Sequence, residues 1–163
     1  MAFGTNDAML PGHLQYVPLP QYRVNLTGIL RHLTHCSLGS TSLRFILVTP
    51  APIYEAKALE TDRKRGFEVM RRREGNTALY AQGVRDVGKE LGIPVLDLWE
   101  LIEADSRKSS NEVDRDQNER FNKYFSDGEF SPTPACSALL HPPSSPFSRY
   151  NMTQQSSVIL RHI

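Results

Sequence analysis

The chain has 163 residues, 39% of them apolar and 23% charged, with a formal net charge of +1. That length suits one ordinary domain and that composition a globular one, while the near-zero charge gives no pull toward nucleic acid or an anionic surface. No apolar run is long enough to span a membrane, and no basic segment followed by an apolar core marks a signal peptide.

In chain order, residues 1–3 read as the end of an apolar strand. Gly4 to Gly12 reads as a loop, with Pro11-Gly12 as a turn signal, and Pro18 and Pro20 prolong it. Tyr22, Leu26, Ile29, Leu30 and Leu33 recur at helical spacing and predict a helix from about Tyr22 to Cys36. After a Gly39-Ser40-Thr41-Ser42 loop, the run from Leu43 to Thr49 predicts a strand buried on both faces, stopped by Pro50 and Pro52. Glu55 to Gly75 is dense in charge. Its basic residues between Arg63 and Arg73 are interleaved with acids, which predicts a solvated helix or lid.

Asn76 is placed to cap a helix running through Leu79, Tyr80, Val84, Val87 and Leu91, with Gly92 as its stop. Ile93 to Trp99 predicts another strand, with Pro94 at its entrance, where a missing N–H is tolerated. Leu98 to Ile102 can begin a further helix, and 105–120 is polar. The alternation of strand and helix predicts a parallel α/β sheet. From Gly128 to Ile163 only Glu129, Arg149 and Arg161 carry formal charge, among five prolines and seven serines. This predicts a boundary near Asp127 between a domain, 1–127, and a poorly ordered tail, 128–163.

Two cysteines, Cys36 and Cys136, stand far apart without metal-like spacing, so a reduced, cytoplasmic setting is the default expectation. No His/Cys/Asp/Glu spacing suggests a metal, and no cofactor is expected.

The chemistry-bearing blocks are Gly4-Thr5-Asn6-Asp7 near the start and Ser126-Asp127-Gly128, followed by Phe130-Ser131-Pro132. Taken alone, Asn6-Asp7 and Asp127-Gly128 also suit simple turns. Between them stand Pro18-Leu19-Pro20-Gln21-Tyr22, Thr49-Pro50 at a strand end, Asn76 to Ala81, and Val95-Leu96-Asp97-Leu98-Trp99. In that order, over about residues 2 to 133, these landmarks resemble the SGNH (GDSL-type) ester hydrolases, in particular the branch similar to isoamyl acetate-hydrolysing esterases. The resemblance implies a flavodoxin-like α/β/α fold with parallel strands in order 2-1-3-4-5. Of these the chain holds the end of strand 3 and strands 4 and 5, a partial fold lacking the first two strands.

The resemblance also implies hydrolysis of short-chain esters through an acyl-serine. Asn6 takes the place of an oxyanion-hole donor, Gly4 the sharp strand exit that shapes the substrate-binding crevice, and Asp127 the triad carboxylate. A neutral amide suits the first role, because it offers two N–H donors without the desolvation cost of a charge.

The pattern then departs from the family. The nucleophile-bearing Gly-Asp-Ser block is not among these residues. Where the family reads Asp-Gly-Leu-His, this chain reads Asp127-Gly128-Glu129-Phe130, so the base histidine is missing too. Glu129 stands one residue short and would be repelled by Asp127. His13, close to Asn6, reads as a loop residue, His141 as part of the tail, and His32 and His35 as residues of the first helix's polar face or end. The expectation is therefore a chain related to an esterase that is catalytically incomplete by itself. The alternatives are a non-catalytic interaction module that pairs through its open strand edge, with itself or with an intact homologue, or a gene-model or splice fragment of an active esterase. A weaker third reading makes Arg63–Arg73 a basic segment for acidic partners.

Overall fold

A computed structural model describes residues 1–35 and 44–108, together with Tyr124 and Pro134. The first helix, α1, spans Leu19–His35, one turn earlier than its apolar spacing suggests. Tyr22, Leu26 and Leu30 are its buried stripe, whereas Ile29 is 41% exposed and falls outside the predicted face. His32 and His35 stand exposed in its last turn, where cationic or donor groups complement free carbonyls.

Two short strands follow, β1 at Leu47–Val48 and β2 at Val95–Leu96. They pair in parallel, Leu47 beside Val95 and Val48 beside Leu96. Ala2 bridges Val48 from the other side, also in parallel. The strand positions thus lie in the order Ala2, β1, β2, as expected for the ends of three successive parallel strands. Both strands are shorter than their apolar runs. Pro94 cannot donate at the entrance of β2, and Asp97 ends that strand by starting a helix. The pairing stretches a little beyond the regular ladder, since Leu47 N–H donates to Pro94 O at 2.9 Å and Thr49 N–H to Leu96 O at 3.2 Å. Leu47 is buried, but Val48, Val95 and Leu96 are only half-buried, so the sheet is not sealed on both faces among the described residues.

Helix α2 covers Glu55–Lys64, α3 Glu74–Leu91 and α4 Leu98–Lys108. Asn76 does not cap α3. Arg73 is the cap residue, and Asn76 sits inside the first turn with its side chain free to reach elsewhere. Gly92 ends the helix in the left-handed conformation, as its position suggests. Glu55 links two helix starts: its Oε1 accepts the Glu74 N–H at 2.8 Å, satisfying one of the donors that a helix N-terminus leaves open.

The larger core cluster joins α1, α3 and β1 through Tyr22, Leu26, Leu30, Leu47, Tyr80, Val84 and Val87, together with Ala8. A Cβ at Gly88 would lie 2.3 Å from Val95 Cγ2 and 3.1 Å from Ile93 O, so α3 rests on the β2 segment at a distance only glycine permits. A smaller cluster packs Ile102 of α4 and Tyr124 against Ala51, Tyr54 and Leu98. Tyr124 is fully buried, and its hydroxyl donates to Asp105 Oδ2 at 2.6 Å.

The charged stretch departs from its sequence-based expectation. Arg63, Lys64, Arg65 and Arg73 are exposed, but Arg71 and Arg72 are buried. Arg71 pairs with buried Asp62 of α2, its Nε donating to Oδ1 at 2.9 Å, and its guanidinium lies 3.9 Å from the centre of the Phe67 ring. Part of the presumed solvated cluster is therefore interior structure.

Candidate active site

Parallel strands place ligands beyond their C-terminal ends. Three segments leave the sheet there: Gly4–Met9 after the edge strand, Thr49–Pro50 after β1, and Asp97 after β2.

The first segment is bent by Gly4, whose φ of 115° is a conformation that side chains rarely adopt. A Cβ at Gly4 would also approach the Tyr22 hydroxyl oxygen to 3.0 Å. That hydroxyl donates to Phe3 O at 3.2 Å, fixing the strand end from α1. Asp7 Oδ2 accepts the Gly4 N–H at 3.2 Å, and Ala8 N–H donates to Gly4 O at 2.8 Å, closing a tight turn that carries Asn6 at its apex.

The turn is held by the start of α3 and by the segment just before it. Asn76 Nδ2 donates to Ala8 O at 2.7 Å, and Leu10 N–H donates to Arg71 O at 2.8 Å. Tyr80 lies against Tyr22 with ring centroids 5.1 Å apart, and its hydroxyl donates to Val17 O. Burial pushes the Tyr22 hydroxyl far above the usual phenol range, with Asp7 and Tyr80 adding to the effect. Burial, then Tyr16 and Asp7, pushes Tyr80 up to about 12. Both stay protonated and keep donating to the backbone that frames the turn.

Asn6 itself is exposed. Its Oδ1 accepts from Arg72 Nη2 at 3.1 Å, and Arg72 Nε donates to the neighbouring Thr5 O at 3.2 Å. Among the described residues no acceptor takes Asn6 Nδ2, which leaves the two N–H groups of this exposed side chain open as donors. The sequence reading singled out Asn6 and Gly4, and the structure brings both to this turn with Tyr22, Asn76 and Thr49-Pro50 around it. It did not single out Arg72. The only local signal was the arginine run itself, which looked like surface.

At the exit of β2, Asp97 Oδ1 accepts the Glu100 N–H at 3.2 Å and caps α4. Arg85 of α3 grips the same carboxylate with Nε at 2.6 Å and Nη2 at 3.0 Å. Burial would raise the Asp97 pKa, but the Arg85 hydrogen bond, the Glu100 N–H, the Arg85 charge and the Thr49 hydroxyl together hold it below the usual carboxylate range. The Asp97 hydrogen bond correspondingly raises Arg85. The aspartate of the Val-x-Asp-Leu-Trp landmark is thus a fully engaged structural group.

His13 is half-buried in the turn after Leu10, and no described residue bonds its imidazole. Asp127, Gly128, Glu129, Phe130, His141, Cys36 and Cys136 lie outside the described residues. Tyr124, anchored on α4, is three positions before Asp127 in the sequence. Among the described residues no group of three or more His, Cys, Asp or Glu side chains is placed to hold a metal ion. A groove of about 570 Å³ runs between α1 and α3, lined by Arg23, Val24, Gly28, Arg31, Val87 and Glu90, and includes none of the candidate residues. No described helix is long and apolar enough to cross a membrane.

No protein-family model matches the chain. An Arabidopsis thaliana GDSL esterase/lipase is 32% identical over 133 residues, covering 77% of this chain and 49% of that protein. An isoamyl acetate-hydrolyzing esterase 1 homolog from Rattus norvegicus is 33% identical over 130 residues, covering 77% of this chain and 45% of that protein. The chain spans about half the length of the curated relatives it matches. Among solved structures, a lipase/acylhydrolase from Enterococcus faecalis superposes with a TM-score of 0.54 over 85% of this chain and 56% of that one, at 19% identity, which speaks for the shared fold. Sequence likeness over three quarters of the chain and a shared α/β scaffold agree with the order of landmarks from Gly4-Thr5-Asn6-Asp7 onward: the chain is similar to GDSL-type ester hydrolases and, among them, to isoamyl acetate-hydrolyzing esterase homologues.

Proposed function

We propose that these residues form part of a serine-type carboxylic ester hydrolase for short-chain esters, and that the 163 residues do not turn over esters by themselves. In this reading Asn6 donates to the oxyanion, Gly4 shapes the crevice beside it, and Asp127 orients an imidazole. The observation that carries it is the exposed Asn6 amide, tied by its oxygen and presenting its N–H groups at the C-terminal ends of parallel strands. The names of the relatives support the ester class. Incompleteness rests on the sequence, which holds no Gly-Asp-Ser and carries Glu129 alone where the family pattern has Leu-His.

An aryl-acetate assay tests both parts. The purified chain is expected to hydrolyse at the buffer rate, and turnover abolished by a serine-directed phosphonate would overturn incompleteness. A chimera carries the Gly-Asp-Ser half of the rat relative ahead of Met1 and Leu-His in place of Glu129. It is expected to hydrolyse aryl acetate and to lose about 10²–10³ in kcat on Asn6→Ala. Equal rates with and without Asn6 would remove the oxyanion assignment.

A second reading is favoured by one observation. Ala2 pairs with Val48 on one side only among the described residues, and Phe3 next to it is 47% exposed. A strand position with a free side is a template for pairing, here with a second copy. Light scattering during size-exclusion chromatography is expected to show dimers that Phe3→Lys weakens. A monomer at every concentration would discard this reading. A cytoplasmic setting remains a proposal resting on the low cysteine content, and cell fractionation tests it.

A further inference from the structure

We propose that Arg72 is a positioning residue that orients and polarises the Asn6 amide. The inference rests on the reading of Asn6 as an oxyanion donor and names the group that prepares it for that task. An exposed asparagine has two nearly equivalent amide orientations, and only one directs its donors into the crevice. Arg72 discriminates between them. Its guanidinium has donors and no acceptor, so it accepts Oδ1 as partner and rejects Nδ2.

The geometry is a two-point hold. Nε donates to Thr5 O at 3.2 Å and Nη2 to Asn6 Oδ1 at 3.1 Å, so one rigid fork fixes both the backbone before Asn6 and its side chain. Arg72 is only 3% exposed, so water does not compete for the fork and the surrounding packing fixes it. A cation on the amide oxygen draws electron density from the amide nitrogen and makes the opposite N–H groups better donors. The consequence is an amide ordered before any substrate arrives, which is what stabilisation of a developing oxyanion requires. A lysine places one point charge there and loses the fork.

The test is NMR relaxation of the Asn6 side-chain Nδ2 group in the full chain, a readout independent of ester chemistry. In the unaltered protein its order parameter is expected to be about 0.8, that of rigid backbone, although the residue is exposed. A value below about 0.6 would overturn the proposal without any variant. Arg72→Lys is expected to keep the backbone spectrum away from Thr5–Asp7 and to drop the Asn6 value below about 0.6, with an upfield shift of its amide protons. An ordered, unshifted Asn6 amide in folded Arg72→Lys would equally overturn it. Failure of the esterase reading shows separately, as an Asn6→Ala chimera with undiminished turnover while the NMR order persists.

Discussion

The Thr49 hydroxyl donates to Asp97 Oδ1 at 3.2 Å and accepts the Trp99 N–H at 3.0 Å, joining the exits of the two parallel strands to the first turn of α4. One buried hydroxyl, 1% exposed, thereby sets the spacing of two of the three segments that leave the sheet on the candidate-site side.

Thr49→Val keeps the shape and removes both bonds. Trp99 N–H, a helix-start donor, then has no hydroxyl to meet. A loss of about 1–3 kcal/mol is expected in urea denaturation, with the slope unchanged. A loss under a few tenths would show that the hydroxyl is not holding the strand exits together.

Asp97 makes stability depend on acid. Its folded pKa lies below the unfolded value, so the unfolded chain binds the proton first as pH falls. Its contribution is complete above the unfolded value of about 3.9 and is lost as pH drops through the lower folded one. Asp97→Asn is expected to be less stable than the unaltered chain from pH 5 to 7, with the gap narrowing only as pH falls below about 4 and through the folded value. Denaturation midpoints measured from pH 7 down through that fall check the narrowing, and parallel curves would contradict it.

Asp62→Ala removes the carboxylate that Arg71 meets in the interior. Both groups are nearly inaccessible, with side-chain exposures of 2% and 11%, so removing one partner is expected to cost about 3–5 kcal/mol. Leu10 N–H bonds the Arg71 carbonyl, so the turn bearing Asn6 is expected to loosen with it. Hydrogen exchange at Leu10 that speeds up in the variant is the readout.

Gly88→Ala forces a methyl into Val95. A destabilisation of about 1–3 kcal/mol is expected, as for overpacked cores. Val95→Ala in the same chain opens the space and is expected to recover part of the loss. Additive losses in the double variant would show that the contact between α3 and β2 is looser than its 2.3 Å approach implies.

The helices were legible because a 3.6-residue period is a local signal, repeated within α1 at Tyr22, Leu26 and Leu30 and within α3 at Tyr80, Val84 and Val87. Gly92 as a helix stop and Pro94 as a strand entrance were legible for the same reason. Strand lengths were less so, since an apolar run does not say where pairing stops. Asn76 shows the limit: its residue type fits a cap, yet its amide is spent on Ala8, 68 positions away.

By itself, then, the sequence determined the element order, the parallel α/β class and the likeness to ester hydrolases, because these depend on local periods and on short blocks in a fixed order. It also named Gly4 and Asn6. Only the tertiary structure decided that Arg71 and Arg72 lie inside, and that Arg72 reaches Asn6 across 66 positions. An arginine in a charged run looks the same whether its fork meets water or a buried amide oxygen. The difference is made by the long-range packing that brings the end of one strand over the start of α3.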